Sequence, residues 1–346
     1  MTMRPASGPP SLSCLDRLTD DTGILEHAWH SIPRRDHGYC TDDNGRALAL
    51  VCAVGGDGAE SLARRYLGFL RHAHMGGGRF RLRLAYDRRW TDDARSHDAD
   101  GRALLGIGTA AARGPNPDIR SAATAFADEA LGWRSPHWRA TASAALGAAA
   151  LLDVDPDHDA ARRLVLDAVQ TLPRPRADAS WPWPEDRLGY ENAKLPHALV
   201  RVGTTLGDQA AIDDGTRLLR WLIATETQAD HFSFTPVGGS EPGERRPAFD
   251  QQPIEAWAMA ESALAAMRVA PNPTFEEAIR RAVDWFAGHN DIGVAMVDAS
   301  TGGGHDGLEP TGVNRNQGAE ALLAVLASRQ VAWDYTRLAP TTGVRP

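Results

Sequence analysis

The chain has 346 residues, of which 42% are hydrophobic and 24% are charged, a composition typical of a globular protein with a large core. Its formal net charge of -8 argues against nonspecific binding to nucleic acid or to an anionic membrane. There is no apolar run of about 18 residues and no apolar segment suited to a signal peptide, so we expect a cytoplasmic protein. Cys14, Cys40 and Cys52 are scattered, which argues against a disulfide framework or a zinc site.

Six positions along the chain are predicted to begin long helices. At each one, polar residues precede a Gly or Pro, and small apolar residues follow it; the six are Gly45, Gly101, Pro136, Pro196, Pro253 and Gly318. Pro and Gly are tolerated near the first helical position, and Asn44, Asp100 and Ser135 are suited to capping. Spacings of 35 to 65 residues indicate a repeated unit with insertions.

A second, amphipathic helix is predicted between successive starts. These stretches are residues 59 to 74, 118 to 132, 157 to 172, 207 to 226 and 274 to 289, with Ile24 to Ser31 as a short sixth before the first start. The helices that follow Gly or Pro are rich in Ala and Leu on all sides, which predicts an inner ring, and the amphipathic helices form the outer ring. Six such hairpins predict an all-α (α/α)6 toroid.

We expect one toroid domain over residues 14–338, with flexible termini at 1–13 and 339–346. Small β-hairpins are expected at Arg79–Leu84 and Phe232–Phe234. Because the inner helices would all point their N-termini toward one end, that end would collect free N–H groups and partial positive charge. Most connections leading into the inner helices are long, so we expect this mouth to carry the function.

Acidic residues dominate the predicted mouth. Hydrolysis of a glycosidic bond needs two carboxyl groups, one protonated and one ionised. Asp43 is the first candidate for a catalytic carboxyl, with Asp42 as a neighbour whose like charge raises its pKa; Glu185 and Asp250 are the next candidates. Any of these carboxylates is equally suited to capping a helix or pairing with an arginine.

Aromatic and polar residues around these acids suit sugar binding. Trp181 and Trp183 lie on a proline-stiffened loop beside Glu185, and flat rings bind sugar faces; the alternative is that the rings only seal the loop. The loop before Gly318 is rich in Gly, Asn and Gln, which suits sugar hydroxyls or a satisfied buried network. The residues expected to bind substrate are Arg46, Asp98, Asp100, Arg102, His137, Trp181, Trp183, Tyr190, Asn192, His197, Gln252, His305, Asp306, Asn314, Arg315, Asn316 and Gln317.

Neither a metal nor a cofactor is expected. The histidines of the mouth show no H-E-x-x-H or H-x-H spacing, so they favour ligand binding or proton transfer over metal binding. The glycines before Gly318 do not form a phosphate-binding motif, and no nucleotide-binding Rossmann signature is present.

Five segments together resemble a bacterial group of six-hairpin glycosidase-like proteins, often encoded beside or fused to family 4 glycosyltransferases. They are Gly38–Leu48, Trp181–Leu199, Phe249–Ala256, Gly303–Glu309 and Asn314–Glu320. The resemblance extends from about Thr22 to Leu326 and implies a toroid that acts on carbohydrate, with an associated glycosyltransferase as a partner. The Asp42-Asp43 pair also looks like the adjacent Asp pair of family 76 endo-α-mannanases, another (α/α)6 fold.

The sequence therefore predicts a carbohydrate-active enzyme that cleaves a glycosidic bond with paired carboxylates. Two alternatives stay open. One is an epimerase similar to the N-acylglucosamine 2-epimerase type, using His197 and His305 for proton transfer. The other is a noncatalytic glycan-binding module that serves a transferase.

Overall fold

The structure, a computed structural model, describes residues 8–91 and 96–338 and contains eleven α-helices in that part of the chain. Six form the inner ring: α1 Thr41–Val54, α3 His97–Arg113, α5 Trp138–Leu152, α7 Lys194–Leu206, α9 Pro253–Val269 and α11 Ala319–Leu338. Five form the outer ring: α2 Ala59–Ala73, α4 Pro117–Ala130, α6 Asp159–Thr171, α8 Gln209–Glu226 and α10 Pro273–Phe286.

The inner helices form a closed ring, because each contacts the next and α11 returns to α1. The Ala and Leu side chains on all sides of the inner helices are buried, and glycine permits the closest approach where two helices cross. A Cβ at Gly108 would lie 2.2 Å from the Gly147 carbonyl oxygen, and a Cβ at Gly147 would lie 2.4 Å from the Leu104 carbonyl oxygen. The predicted (α/α)6 toroid is confirmed.

The prediction that Asn44, Asp100 and Ser135 cap inner helices was wrong. Helices α1 and α3 begin at Thr41 and His97, four residues before Gly45 and Gly101. These two glycines mark helix crossings, since their Cβ atoms would lie 2.6 Å from the Arg102 oxygen and 2.3 Å from the Ala140 oxygen. Close packing, rather than helix initiation, therefore explains glycine at these positions.

The three residues expected to cap instead bond elsewhere. The Asn44 side chain accepts from the Ile24 N–H at 3.0 Å. Asp100 accepts from the Phe80 N–H at 2.7 Å and from the Trp133 indole N–H at 2.9 Å. Ser135 accepts from the N–H of His137, the residue at the N-cap position of α5.

The prediction of a sixth, short outer helix at Ile24–Ser31 was also wrong. That stretch is extended and contains strand β1 (Ala28–Trp29), which pairs with β2 (Ile32–Pro33). The Asn44 side chain accepts the Ile24 backbone N–H, and a segment of eight residues rich in polar side chains is too short to form a stable isolated helix. The preceding segment buries Leu15 and Leu18 in the core, and Thr19 bonds the Tyr66 hydroxyl of α2 at 2.7 Å.

Three further pairs of short strands lie in the connections that lead into inner helices. They are β3 (Tyr39–Cys40) with β4 (Arg83–Leu84), β5 (Thr227–Gln228) with β6 (His231–Phe232), and β7 (Gly307–Glu309) with β8 (Gly312–Asn314). Arg79–Leu84 is therefore not a hairpin by itself, because its strand pairs with residues just before α1.

The outer parts of the predicted flexible termini, residues 1–7 and 339–346, lie outside the described residues, and Leu12 is buried. Within the described ranges, no helix combines the length and apolar character needed to cross a bilayer.

Candidate functional site

The mouth is the end of the toroid at which the inner helices begin, and the predicted acidic residues meet there. Arg46 connects the start of α1 with the start of α11, since it contacts Asp43 at 3.3 Å and Glu320 at 2.8 Å. Asp306 accepts from the Gly318 N–H at 2.8 Å, immediately before α11. Asp43 and Asp306 thus lie at the same end.

A second buried arginine extends this set across the ring. Arg102 on α3 donates to Asp42 and to Glu191, which precedes α7. Lys194 also contacts Glu191, at 3.1 Å. We call Asp42, Asp43, Arg46, Arg102, Glu191, Lys194 and Glu320 the charge network.

The backbone of Glu191 is strained, with φ of 46°. Although burial raises the pKa of Glu191, Arg102 and Lys194 lower it below its ordinary value, so the carboxylate stays ionised. The structure therefore maintains an ionised carboxylate in an unfavourable backbone conformation at the floor of the mouth.

Asp43 has the opposite electrostatic environment. Burial raises the pKa of Asp43 well above its ordinary value; Arg46 opposes this shift, and the like charge of Asp42 adds to it. Asp43 thus holds a proton at a pH where an ordinary carboxyl has lost it. A protonated carboxyl beside an ion-paired one is the arrangement that acid catalysis requires.

Glu26, Cys40 and Asp43 place one potential ligand atom each within 4.8 Å of one another. Glu26 already receives two hydrogen bonds from Arg83, at 2.7 and 3.1 Å, and Asp43 faces Arg46. Both carboxyls are thus partnered by guanidinium groups, which compete with a metal ion for the carboxylate oxygens.

An open cleft of about 610 Å³ adjoins the charge network between the starts of α3 and α5. We call it the histidine cleft, because the rings of His97 and His137 meet there edge to face with centroids 4.9 Å apart. Tyr190 and Trp138 also line it and are 45% and 37% exposed. The Tyr190 hydroxyl donates to Asp98 on the same wall.

Arg139 joins the histidine cleft to the Trp-Pro-Trp-Pro loop. It forms two hydrogen bonds of 2.7 Å to the Glu185 carboxylate, and its guanidinium lies 5.0 Å from the centroid of the Tyr190 ring. It also donates to Asn192 at 3.1 Å. Glu185 is therefore a paired carboxylate in the cleft wall.

The two tryptophans of that loop differ from each other. Trp183 has no exposed surface, stacks on Trp221 of α8 and donates to Glu185 at 3.1 Å. Its position corresponds to the sealing role. Trp181 is partly buried, meets Trp221 edge to face and donates to the Glu185 carbonyl oxygen at 2.8 Å.

Asp250 lies on the other side of the mouth, beside strand β7. A Cβ at Gly307 would lie 2.2 Å from Asp250 Oδ1, so glycine is what allows this close approach. Burial raises the pKa of Asp250 to about 6, and the like charges of Glu309 and Asp306 add to the shift. Asp250 thus titrates near neutrality.

Several predicted substrate-binding residues are engaged in structural hydrogen bonds. Asn316 accepts from the His30 N–H at 3.0 Å, and Asn314 accepts from the Asn316 N–H at 3.2 Å. Gln317 is buried; it accepts from the Thr301 hydroxyl at 2.8 Å and donates to Asp298 at 3.0 Å. This corresponds to the satisfied network left open from the sequence.

The remaining predicted residues are more dispersed. Asp100 and Asn192 are fully buried, Gln252 is the N-cap residue of α9, and Arg315 is exposed. His305 remains in a loop before α11, whereas His197 lies inside the ring of helices. The structure records no ring contact between these two histidines in the ranges it describes.

Several residues of the mouth were missed from the sequence. Glu26 lies in a segment without a recognisable motif, and only the fold brings it to Asp43. Arg139 lies three residues after the predicted start at Pro136 but was not selected as a site residue. Glu320 and His97 could have been found from the sequence. Glu320 lies two residues after the predicted start at Gly318, and His97 is next to Asp98, which was expected to bind substrate. Trp138 lies two residues after the predicted start at Pro136, but its exposure is visible only in the structure.

The chain matches no family model and no curated protein. Solved structures do resemble it. A sugar epimerase from a ruminal bacterium superimposes with a TM-score of 0.71 at 12% identity, covering 95% of this chain and 96% of that one. A cellobiose 2-epimerase from Bacillus thermoamylovorans has a TM-score of 0.71 at 12% identity, covering 94% and 96%.

A family 76 α-mannanase from Bacteroides thetaiotaomicron also has this architecture, with a TM-score of 0.62 at 12% identity and 94% coverage of each chain. At such low identity these likenesses establish the six-hairpin fold alone. They include both hydrolases and epimerases, so the reaction has to be argued from the residues of the mouth.

Proposed function

We propose that this protein cleaves a glycosidic bond and that Asp43 donates the proton to the leaving oxygen. The observation that carries the proposal is the buried Asp43 carboxyl, whose pKa is raised well above its ordinary value at the mouth of a toroid. When the C1–O bond breaks, the proton of Asp43 moves to the departing oxygen, and positive charge develops at the anomeric carbon. A water molecule then bonds to that carbon and returns a proton to the Asp43 carboxylate.

Asp42 is the proposed ionised partner. It contacts the guanidinium groups of Arg102 and Arg46, the latter at 3.5 Å. Its carboxylate is 18% exposed, against 7% for Asp43, so it retains access to the mouth. A carboxylate at this position stabilises the developing charge at the anomeric carbon. Glu185 and Asp250 are the reserve candidates for this role.

Sugar binding is assigned to the exposed rings of Tyr190 and Trp138 in the histidine cleft. Their faces provide the C–H contact that sugars require, and Asp98 and Glu185 supply hydrogen-bond acceptors beside them. The cleft volume of about 610 Å³ is ample for a small oligosaccharide.

Three further assignments belong to this proposal. The sequence resemblance supports an associated family 4 glycosyltransferase as a partner. We also propose that residues 14–338 form one domain, a view supported by the closed ring of inner helices. A cytoplasmic location is proposed from the amino-acid sequence.

The test is Asp43→Asn, assayed against a panel of oligosaccharides by release of reducing ends. Asn keeps the size but carries no transferable acid proton, so turnover should fall by roughly 10² to 10⁴ while substrate still binds. The matched control is Asp159→Asn, a side chain 88% exposed on outer helix α6. Turnover near normal in the Asp43 variant would remove Asp43 as the acid.

An epimerase is the second candidate, favoured by the presence of two histidines, His97 and His137, in edge-to-face contact in an open polar cleft. Two imidazoles on one sugar carbon suit removal and return of a proton next to a carbonyl. Incubating reducing sugars in D₂O distinguishes the reactions, since epimerisation introduces deuterium on carbon and hydrolysis does not. Deuterium uptake that is lost in His97→Gln, but not in Asp43→Asn, would favour the epimerase. Sugar binding without either reaction would instead indicate a glycan-binding module.

A further inference from the structure

A second cavity lies at the end of the toroid opposite the mouth. It has a volume of about 400 Å³, and all six inner helices contribute to its wall. We call it the axial funnel. It is separate from the histidine cleft, because none of its lining residues is shared with that cleft.

Three arginines line the axial funnel: Arg113 on α3, Arg201 on α7 and Arg268 on α9. Arg201 is paired with Asp153 at 2.6 Å. Within the described ranges, Arg113 and Arg268 have no carboxylate within ion-pair distance. Two guanidinium groups therefore line the cavity without an ion-pair partner among the described residues.

The acidic groups that line the funnel are Asp153, Glu261 and Asp334, and in the described ranges none of them forms an ion pair with Arg113 or Arg268. Asp153 pairs with Arg201, and Asp334 accepts a hydrogen bond from Gln330 at 3.0 Å. Glu261, deeper in the cavity, lies 4.0 Å from Lys194 of the charge network. Burial lowers the pKa of Arg268; the charge of Asp334 and, more weakly, that of Asp153 oppose this shift, while the like charges of Arg113 and Arg201 add to it. An added anion would relieve that repulsion.

Neutral hydrogen-bonding atoms lie deeper in the funnel. Gln330 Oε1 and His197 Nδ1 are buried and have no hydrogen-bond partner. His197 Nδ1 lies 3.9 Å from Glu261, and burial together with Lys194 lowers the pKa of His197 to about 3, so the ring is neutral. An unpartnered acceptor and an unpartnered imidazole nitrogen suit hydroxyl groups.

We propose that the axial funnel binds a small polyhydroxylated anion of the phosphorylated-sugar class, with its anionic group between Arg113 and Arg268 and its hydroxyls toward Gln330 and His197. Both arginines lie in the last turns of their helices, where a cation also balances the helix dipole. Balancing the helix dipoles does not require two guanidinium groups without ion-pair partners to line the same cavity. The charge distribution and the unpartnered floor atoms together point to a ligand.

The experiment measures binding of glucose 6-phosphate, glucose and inorganic phosphate to the full chain by isothermal titration calorimetry at low ionic strength. Glucose 6-phosphate should bind at least about tenfold more tightly than glucose, because only the former pairs with the arginines. Arg268→Gln should weaken that binding by at least about fivefold. Arg217→Gln, at an exposed position on outer helix α8, is the matched control and should leave it unchanged.

A second variant covers the possibility that Arg268→Gln does not fold. Ala53 is an exposed helical residue at the funnel wall, so Ala53→Glu adds a negative charge there with little packing change and should also weaken binding. Asp43→Asn should bind glucose 6-phosphate normally, since its change lies at the mouth. Binding no tighter than that of glucose, binding unaffected by Ala53→Glu, or binding lost in Asp43→Asn would each overturn the proposal.

Discussion

The two ends of the toroid differ in how the chain connects its helices and in where the charges lie. Connections at the mouth, such as residues 74–96 and 227–252, are long, whereas those at the opposite end, such as 55–58 and 207–208, are short. At the mouth, Arg46 and Arg102 are buried within a network of carboxylates. At the opposite end, Arg201 and Asp153 form a partly exposed pair, 22% and 47% accessible.

At the mouth, long loops cover the charges, and burial together with neighbouring charges shifts their pKa values. Covered carboxyls at the mouth shift in opposite directions, Asp43 toward the protonated form and Glu191 toward the ionised form. Burial increases the cost of each unpaired charge and the strength of each ion pair. Breaking a buried ion pair at the mouth should therefore cost more than breaking the partly exposed Arg201–Asp153 pair.

The largest expected effect comes from removing one arginine at each end. Arg102→Met deprives buried Glu191 and Asp42 of a shared cation, and we expect the free energy of unfolding to fall by about 3 to 5 kcal/mol. Arg201→Met breaks a partly exposed pair and should cost about 0.2 to 1 kcal/mol. Urea unfolding of both variants measures the contrast. Equal losses would mean that the ends do not differ in electrostatic stabilisation.

The second expected effect separates stability from sugar binding within one wall of the mouth. Trp183→Ala should lower the free energy of unfolding by about 3 to 5 kcal/mol, because a fully buried ring is lost. Tyr190→Ala removes an exposed ring and should instead weaken glycan binding, by about 1 to 3 kcal/mol. Thermal unfolding and calorimetric sugar titration measure the two. A reversed pattern would place the sugar platform at Trp183.

The ring of helices was predictable from sequence because its glycines, prolines and alanines recur along the chain. The same residues misled at the level of individual positions. Gly45 and Gly101 looked like helix starts, but they are selected by close contact with neighbouring inner helices. A packing contact between segments 56 residues apart leaves no local signal. The extended Ile24–Ser31 segment was missed for the same reason, since Asn44 holds it from another element.

The site was partly predictable, because polar residues before inner helices share one end by geometry. Arg102 contacts Asp42, and Tyr190 contacts Asp98, as expected for residues that share the mouth. Sequence could not indicate which carboxyls would be buried, since Glu26 reaches Asp43 only through the folded N-terminal segment. Nor could it separate Trp183 from Trp181, because their exposure depends on Trp221 of a distant outer helix.

The third expected effect is a pH dependence specific to the mouth. Burial raises the pKa of Glu255 to about 8, and the like charge of Glu226 adds to this shift. Between about pH 4.5 and 8 the folded state therefore binds a proton that the unfolded state lacks, so stability falls as the pH rises.

Glu255→Gln removes this titration while keeping an acceptor for the Glu191 N–H, which donates to Glu255 at 2.5 Å. We expect the unmodified protein to lose on the order of 1 to 3 kcal/mol more than the variant between pH 5 and pH 8. Denaturant unfolding at both pH values measures this. Parallel pH profiles would show that Glu255 titrates normally.

The smallest expected effect tests whether the short connections at the opposite end act only as helix caps. Asp208 is the N-cap residue of α8, and its side chain accepts a hydrogen bond from the Ala211 N–H at 3.1 Å. Asp208→Ala should cost about 1 kcal/mol of unfolding free energy, whereas Asp208→Asn should cost almost nothing, because Asn caps as well as Asp. Neither change should alter turnover at the mouth. A loss of turnover in Asp208→Ala that Asp208→Asn restores would show that capping at this end affects the charge network. The two ends would then be coupled, and Lys194, which contacts Glu191 and lies 4.0 Å from Glu261, would be the residue through which to trace that coupling.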